Sequence, residues 1–167
     1  MKNYTIIALP EKKIGDDIEK LRADVSNQVL VDNLPPHVTF KRRFILSGDF
    51  LEIDLVNYFK KLRLKKFRVN FIGEEGMNDA LVLIGASDEM KYAHTSLGND
   101  LDGRIVTKNP EWEGDEYKIH MTLLRGQVKD VVLPEVKVVN FNVLALYEID
   151  SGPERLFANE IARIELD

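Results

Sequence analysis

The chain has no cysteine, which excludes both disulfides and thiolate metal centres. Histidine is scarce, three in 167 residues, and tryptophan occurs once. Any chemistry that needs an imidazole therefore falls on very few positions. No apolar run approaches the roughly 20 residues that span a bilayer. The opening stretch Met1–Leu9 carries one Lys and runs straight into Pro10, without the long apolar core of a secretory signal. A cytoplasmic protein with no membrane partner is the expectation. There is no surplus of positive charge either: 23 Lys and Arg stand against 28 Asp and Glu, a net charge of -5. That argues against broad electrostatic binding to nucleic acid and leaves room only for a local basic patch. Hydrophobic content of 44% and charged content of 31% are ordinary for a soluble globular protein. The length fits one domain over 1–167, built as two small lobes that share a core.

What the chain does have is a short stretch that occurs twice. The first copy reads Pro36-His37-Val38-Thr39-Phe40-Lys41-Arg42 and the second Ile119-His120-Met121-Thr122-Leu123-Leu124-Arg125. Each has a His, a Thr two residues on, apolar residues between and after, and an Arg five residues past the His. Val38, Phe40, Met121 and Leu123 favour or tolerate strands, and in a strand side chains two apart share a face. Each copy thus presents an imidazole beside a hydroxyl. Two such pairs across a cleft suit phosphoryl chemistry: one imidazole takes a proton from the attacking oxygen and the other gives one to the leaving oxygen. The Thr hydroxyls donate to the non-bridging oxygens, where charge is held in the transition state. This reaction calls for no metal, and an imidazole titrates near the pH of cells.

A single His alternating with apolar residues is most often a hydrogen-bonded structural residue. Duplication of the whole pattern, on the only two strand-borne His, shifts the reading to catalysis. The paired His-x-Thr motifs, the Pro before the first and the Arg after the second resemble the two-histidine (2H) phosphoesterase superfamily, and within it the RNA 2′,3′-cyclic phosphodiesterases, also called 2′-5′ RNA ligases. The resemblance covers nearly the full chain. It implies an α+β fold of two duplicated lobes related by a pseudo-twofold axis, with antiparallel sheets lining a central cleft. It implies His37, Thr39, His120 and Thr122 as the catalytic set, with His120 as general base, His37 as general acid and a 2′-phosphate as product. Arg125 matches the Arg that often follows the second motif. A regular strand would turn Arg125 away from His120, so it serves the site only where the strand ends or bulges. Lys41, with the parity of His37, is an alternative phosphate clamp, as is Lys118 at the second motif. Ile119 stands where the family often has Pro.

In chain order, Tyr4–Leu9 reads as a strand closed by Pro10. Gly15 and Asp16 open a helix with Ile18, Leu21 and Val25 on one face and Glu19 completing a capping-box-like pattern. Val29–Val31 is a brief apolar run, and Asp32–Pro36 a rigid turn into the first motif. A helix is expected over Phe50–Leu62, followed by the basic run Lys60, Lys61, Arg63, Lys65, Lys66 and Arg68, which reads first as a solvated face. Phe67–Ile72 alternates as a half-buried strand, Gly73–Asn78 as a loop, and Leu81–Ile84 as a central strand buried on both faces. Ser87 caps a helix with Met90, Ala93, His94, Leu97 and Leu101 on its inner stripe, which makes His94 structural. Trp112 sits in the loop Lys108–Glu116, where it either stacks a nucleobase or pins the loop to the core. Val131–Leu133, Val136–Val139 and Phe141–Tyr147 follow as β-prone segments. A turn at Asp150–Pro153 then leads to Phe157–Leu166.

The expectation is therefore a monomeric enzyme without metal or cofactor, acting on an RNA end or a cyclic nucleotide. Three readings compete with an RNA cyclic phosphodiesterase: a module that binds nucleotide ends without turnover, a hydrolase of a small cyclic nucleotide such as an ADP-ribose cyclic phosphate, and a metal-dependent hydrolase with the two His as ligands. The last is disfavoured because neither motif carries an adjacent carboxylate.

Overall fold

The computed structural model describes residues 2–24, 34–77, 80–126, 133, 135–151 and 156–167. Among the described residues eight strands and three α-helices follow one another as β1 (Asn3–Pro10), α1 (Lys12–Asp24), β2 (Val38–Leu46), α2 (Glu52–Lys61), β3 (Phe67–Met77), β4 (Ala80–Ala86), α3 (Asp88–Asp100), β5 (Ile105–Thr107), β6 (His120–Arg125), β7 (Val138–Ser151) and β8 (Leu156–Glu165). This is an α+β chain with one antiparallel sheet ordered β1-β2-β6-β4-β3-β7-β8. β7 also pairs with β1 over Asn3–Pro10, so six strands form a closed circuit of pairings. The two motif strands, far apart in sequence, are neighbours in it, paired antiparallel at Val38 and Met121. An antiparallel pair carries its own local twofold axis. The duplicated motifs therefore meet head to tail.

Alternation drives the packing. Val38, Phe40, Val69, Phe71, Leu83, Met121 and Val139 point inward from their strands and join Ile119, just before β6, Leu55 and Phe59 of α2 and Met90 and Leu97 of α3 in one buried cluster. Helix α3 begins as its sequence specifies, with the Ser87 hydroxyl accepting from the Met90 amide at 3.3 Å. Its His94 lies in the core, 1% exposed, and donates from Nδ1 to the Phe40 carbonyl at 2.8 Å. One contact here is tight. A Cβ on Gly85 would lie 2.5 Å from Val69 and 3.1 Å from Ile119, so only glycine lets β3, β4 and the residue before His120 close together.

Several boundaries differ from the expectations. Helix α1 starts at Lys12, so Asp16 is an interior residue whose partner is Lys12 and not a cap. In α2 the box is closed by Asp54, which accepts from the Leu51 amide at 3.0 Å, and Ser47–Asp49 lie before it. Gly73–Met77 continues β3, because its amides and carbonyls pair with Ala80–Ile84 while its polar side chains face water. The segment expected to break near Asn140 is the single long strand β7. The basic run from Lys60 to Arg68 is exposed, as a solvated face. Val25, the apolar run Val29–Val31, Asp32 and Asn33 of the next turn, Val131 and Val132, and Gly152 and Pro153 lie outside the described residues. No helix among the described residues is long and apolar enough to cross a membrane.

Candidate active site

The pair Val38–Met121 fixes the geometry of both motifs. These two residues are fully buried and face the core, so the residues on either side of each point to the opposite face. Because the strands run in opposite directions, Thr39 lies across from His120 and His37 across from Thr122. All four are half-buried. They form a square with the imidazoles at diagonal corners and the hydroxyls at the other two. Diagonal positions on paired strands are roughly 7–8 Å apart, which leaves room for one tetrahedral phosphoryl group between the rings.

Both rings are held in the same way. His37 Nδ1 is 2.7 Å from the carbonyl of Pro35, and His120 Nδ1 is 3.1 Å from the carbonyl of Lys118. A carbonyl only accepts, so Nδ1 carries the hydrogen in each ring and Nε2 is the acceptor of the neutral tautomer. The identical tether at two residues upstream shows that Pro36 and Ile119 present their preceding carbonyls alike. Burial pushes the His120 pKa below the ordinary imidazole value, and the guanidinium groups of Arg42 and Arg125 push the same way. The bond to Lys118 and the charge of Glu75 oppose the shift. His120 is thus poised neutral with a basic Nε2.

Arg125 reaches this face through a bulge. Val82 pairs with Thr122 but Leu81 pairs with Leu124, which leaves Leu123 as an extra residue on β6. Leu123 and Leu124 are consequently both buried, and Arg125 returns to the side of His120 and Thr122. The interrupted backbone is held from α1. Arg22 donates from Nη2 to the Thr122 carbonyl at 2.7 Å and from Nε to the Leu123 carbonyl at 3.1 Å.

Lys41 does not share the face of His37 and Thr39. On β2, Ile7 of β1 pairs with Thr39 but Ile6 pairs with Lys41, so Phe40 is an extra residue and Lys41 turns inward beside it. It is 4% exposed and ion-paired with Glu113, and the expected phosphate clamp is a structural cation. Glu113 also meets His94 Nε2 at 3.2 Å. Burial lowers the His94 pKa, against the pull of that carboxylate. The Tyr117 ring stacks on His94 at 3.9 Å between centroids, and its hydroxyl donates to the Thr39 carbonyl at 2.8 Å. Lys118 is exposed and has the parity of His120. Trp112, in a single turn of 3₁₀ helix (Pro110–Trp112), is partly exposed, with the Arg42 guanidinium 5.1 Å from its ring centroid. Sequence reading notes Arg42 as part of the first motif but assigns it no role, and it passes over Arg22 and Glu113. No group of three or more His, Asp or Glu among the described residues is placed to hold a metal ion.

No protein-family model matches the sequence, and no curated protein matches it. Solved structures do. The chain superposes on E. coli LigT complexed with NADP+ at a TM-score of 0.66, over 99% of this chain and 98% of that one, with 15% identity. The chain has the LigT fold. LigT complexed with 3′-AMP gives 0.64 at 16% identity, over 99% and 98% of the two chains. The same fold recurs in a crystal structure of a phosphoesterase, with 0.65, 16% identity and 99% and 98% coverage. The Thermus thermophilus protein TT0787 gives 0.59, 16% identity and 98% and 97% coverage.

Proposed function

We propose that this protein is a two-histidine phosphodiesterase that opens 2′,3′-cyclic phosphates at RNA or nucleotide ends. The observation that carries this reading is the diagonal pair of imidazoles, each tethered through Nδ1 to a carbonyl two residues upstream and flanked by a Thr. The nucleotide complexes of LigT, with 3′-AMP and with NADP+, support a nucleotide as ligand. Neutral His120 takes a proton from water as its oxygen bonds to phosphorus. Protonated His37 gives a proton to the ribose 3′-oxygen as its bond to phosphorus breaks, and a 2′-phosphate results. Diagonal placement puts base and acid on opposite sides of the phosphorus, as in-line displacement requires. Thr39, Thr122 and Arg125 hold the non-bridging oxygens as charge builds on them. With a 5′-hydroxyl end in place of water, the same steps in the same direction form a 2′-5′ linkage: His120 takes the hydroxyl proton as the 5′-oxygen bonds to phosphorus, and His37 protonates the departing 3′-oxygen.

Steady-state hydrolysis of a cyclic-phosphate-ended oligonucleotide tests this. His37→Ala and His120→Ala should each lower kcat by about 10²-fold or more, with Thr39→Val and Thr122→Val costing roughly tenfold to 10³-fold. Near-normal turnover in both His variants would refute the mechanism. Tight binding of the cyclic end without any product in the wild type would instead identify a binding module.

A further inference from the structure

Strand β2 carries two more residues than its partner between Thr39 and Phe44, since Ile7, Ile6 and Tyr4 of β1 pair with Thr39, Lys41 and Phe44. The first extra residue turns Lys41 inward. The second leaves Arg42 and Arg43 both half-buried in succession, and Arg42 falls on the side of Thr39. Its guanidinium lies over Trp112, and its charge is felt at His120. Two consecutive residues of β2 thus grip two residues of the 110–116 loop. Lys41 takes Glu113 on the inside, and Arg42 takes Trp112 on the outside. The inner pair is nearly dry, so the loop is fixed and the outer pair is fixed with it. Among the described residues Arg42 has no carboxylate partner, in a chain where acidic residues outnumber basic ones.

The direction of the strands decides what this cation faces. β2 and β6 are antiparallel, so the chain past Thr39 runs beside the residues that precede His120, while Arg125 lies past Thr122. Arg42 and Arg125 therefore flank the His–Thr square from opposite ends. A phosphoryl group centred in the square is met by Arg125 at one end. A guanidinium at the other end, seated over an indole ring, offers its N–H donors to a different anion.

We propose that Arg42 is a specificity-determining residue that binds a second phosphate of the substrate, one other than the reacting group, and that Trp112 positions it. The inference rests on the phosphodiesterase reading for the identity of the site. It selects a substrate whose chain continues past the terminal nucleoside, and disfavours a lone cyclic mononucleotide.

The test is equilibrium binding of two stable products by titration calorimetry: a mononucleoside 2′-phosphate, and a dinucleotide ending in the same 2′-phosphate, which adds one internal phosphodiester. Wild type should prefer the dinucleotide. Arg42→Gln should lower that preference about tenfold to hundredfold, the worth of one hydrogen-bonded charge contact. Arg42→Lys keeps the charge but not the forked guanidinium and should retain part of it, and Trp112→Leu should lower it with Arg42 in place. Thermal melts confirm that each variant is folded. A preference unchanged in folded Arg42→Gln, or affinities for both ligands lowered by the same factor, would overturn the assignment. Turnover of the corresponding cyclic compounds is read in parallel. An Arg42-dependent binding preference without turnover would refute the hydrolase reading and leave Arg42 as an anion-binding residue. Turnover without that preference would refute Arg42 alone.

Discussion

Replacing Arg22 by Met removes the guanidinium from the β6 bulge while keeping most of the apolar stem. Arg22 is nearly buried, its side chain 12% exposed, and its two bonds run to carbonyls at 2.7 and 3.1 Å where the ladder with β4 is interrupted. A hydrogen bond from a charged donor contributes about 1.5–3 kcal/mol net. Water reaches this half-buried face, so the lower end applies to each and the pair is worth about 3 kcal/mol. The contact with exposed Glu19 adds little. For a domain of this size such a loss lowers Tm by roughly 6–12 °C. The damage extends to the site, because the bulge is what turns Arg125 toward His120. With the bulge loosened, the Arg125 charge moves off the imidazole and His120 becomes easier to protonate. Thermal and urea unfolding give the stability, and kcat/KM against pH, measured where the variant is folded, gives the second effect. A melt within about 2 °C of wild type, together with an unmoved acid limb, would refute the argument that Arg22 holds the bulge.

Three further outcomes follow from the geometry. The acid limb of kcat/KM should lie below the ordinary imidazole pKa of about 6.5, because burial, Arg42 and Arg125 all favour neutral His120. Arg125→Gln removes a positive charge and should move that limb to higher pH, and a shift to lower pH would contradict the assignment of His120 as base. Glu113→Ala leaves the Lys41 ammonium buried without its counter-charge and should cost about 3–5 kcal/mol, much of it recovered when Lys41→Met is added; urea unfolding of the single and double variants decides. Gly85→Ala drives a methyl into Val69 and Ile119 and should destabilise by about 1–3 kcal/mol, whereas an unchanged unfolding midpoint would show that β3 and β4 yield there without cost.

Which faces the candidate site residues occupy is largely legible in the chain, and the reasons are physical. Alternation around Val38 and Met121 puts His37, Thr39, His120 and Thr122 on the polar faces of their strands, and the helical spacing of Met90, Ala93, His94 and Leu97 sends His94 to the core. The bulges escaped that logic. Those on β2 come as a pair, so Val38, Phe40 and Phe44 keep the same parity and only Lys41 and its neighbours change sides. A period of two is blind to two insertions that cancel. The parity of Arg125 calls for the β6 bulge, and the adjacent apolar residues Leu123 and Leu124 are its trace in the sequence. Gly73–Met77 looked like a loop because glycine and glutamate avoid strands. The ladder to β4 outweighs that preference by satisfying the backbone of every residue along it. β5 is three residues long, too short for any periodicity to register.

The central claim is that two imidazoles on paired strands open a cyclic phosphate. Phosphorus NMR tests it most directly: a 2′,3′-cyclic-phosphate-ended oligonucleotide is incubated in chelator with wild type, His37→Ala and His120→Ala. The account predicts that the cyclic signal converts to that of a 2′-phosphate monoester with wild type and persists with either variant. A 3′-phosphate product, or conversion by both variants at the wild-type rate, would contradict it.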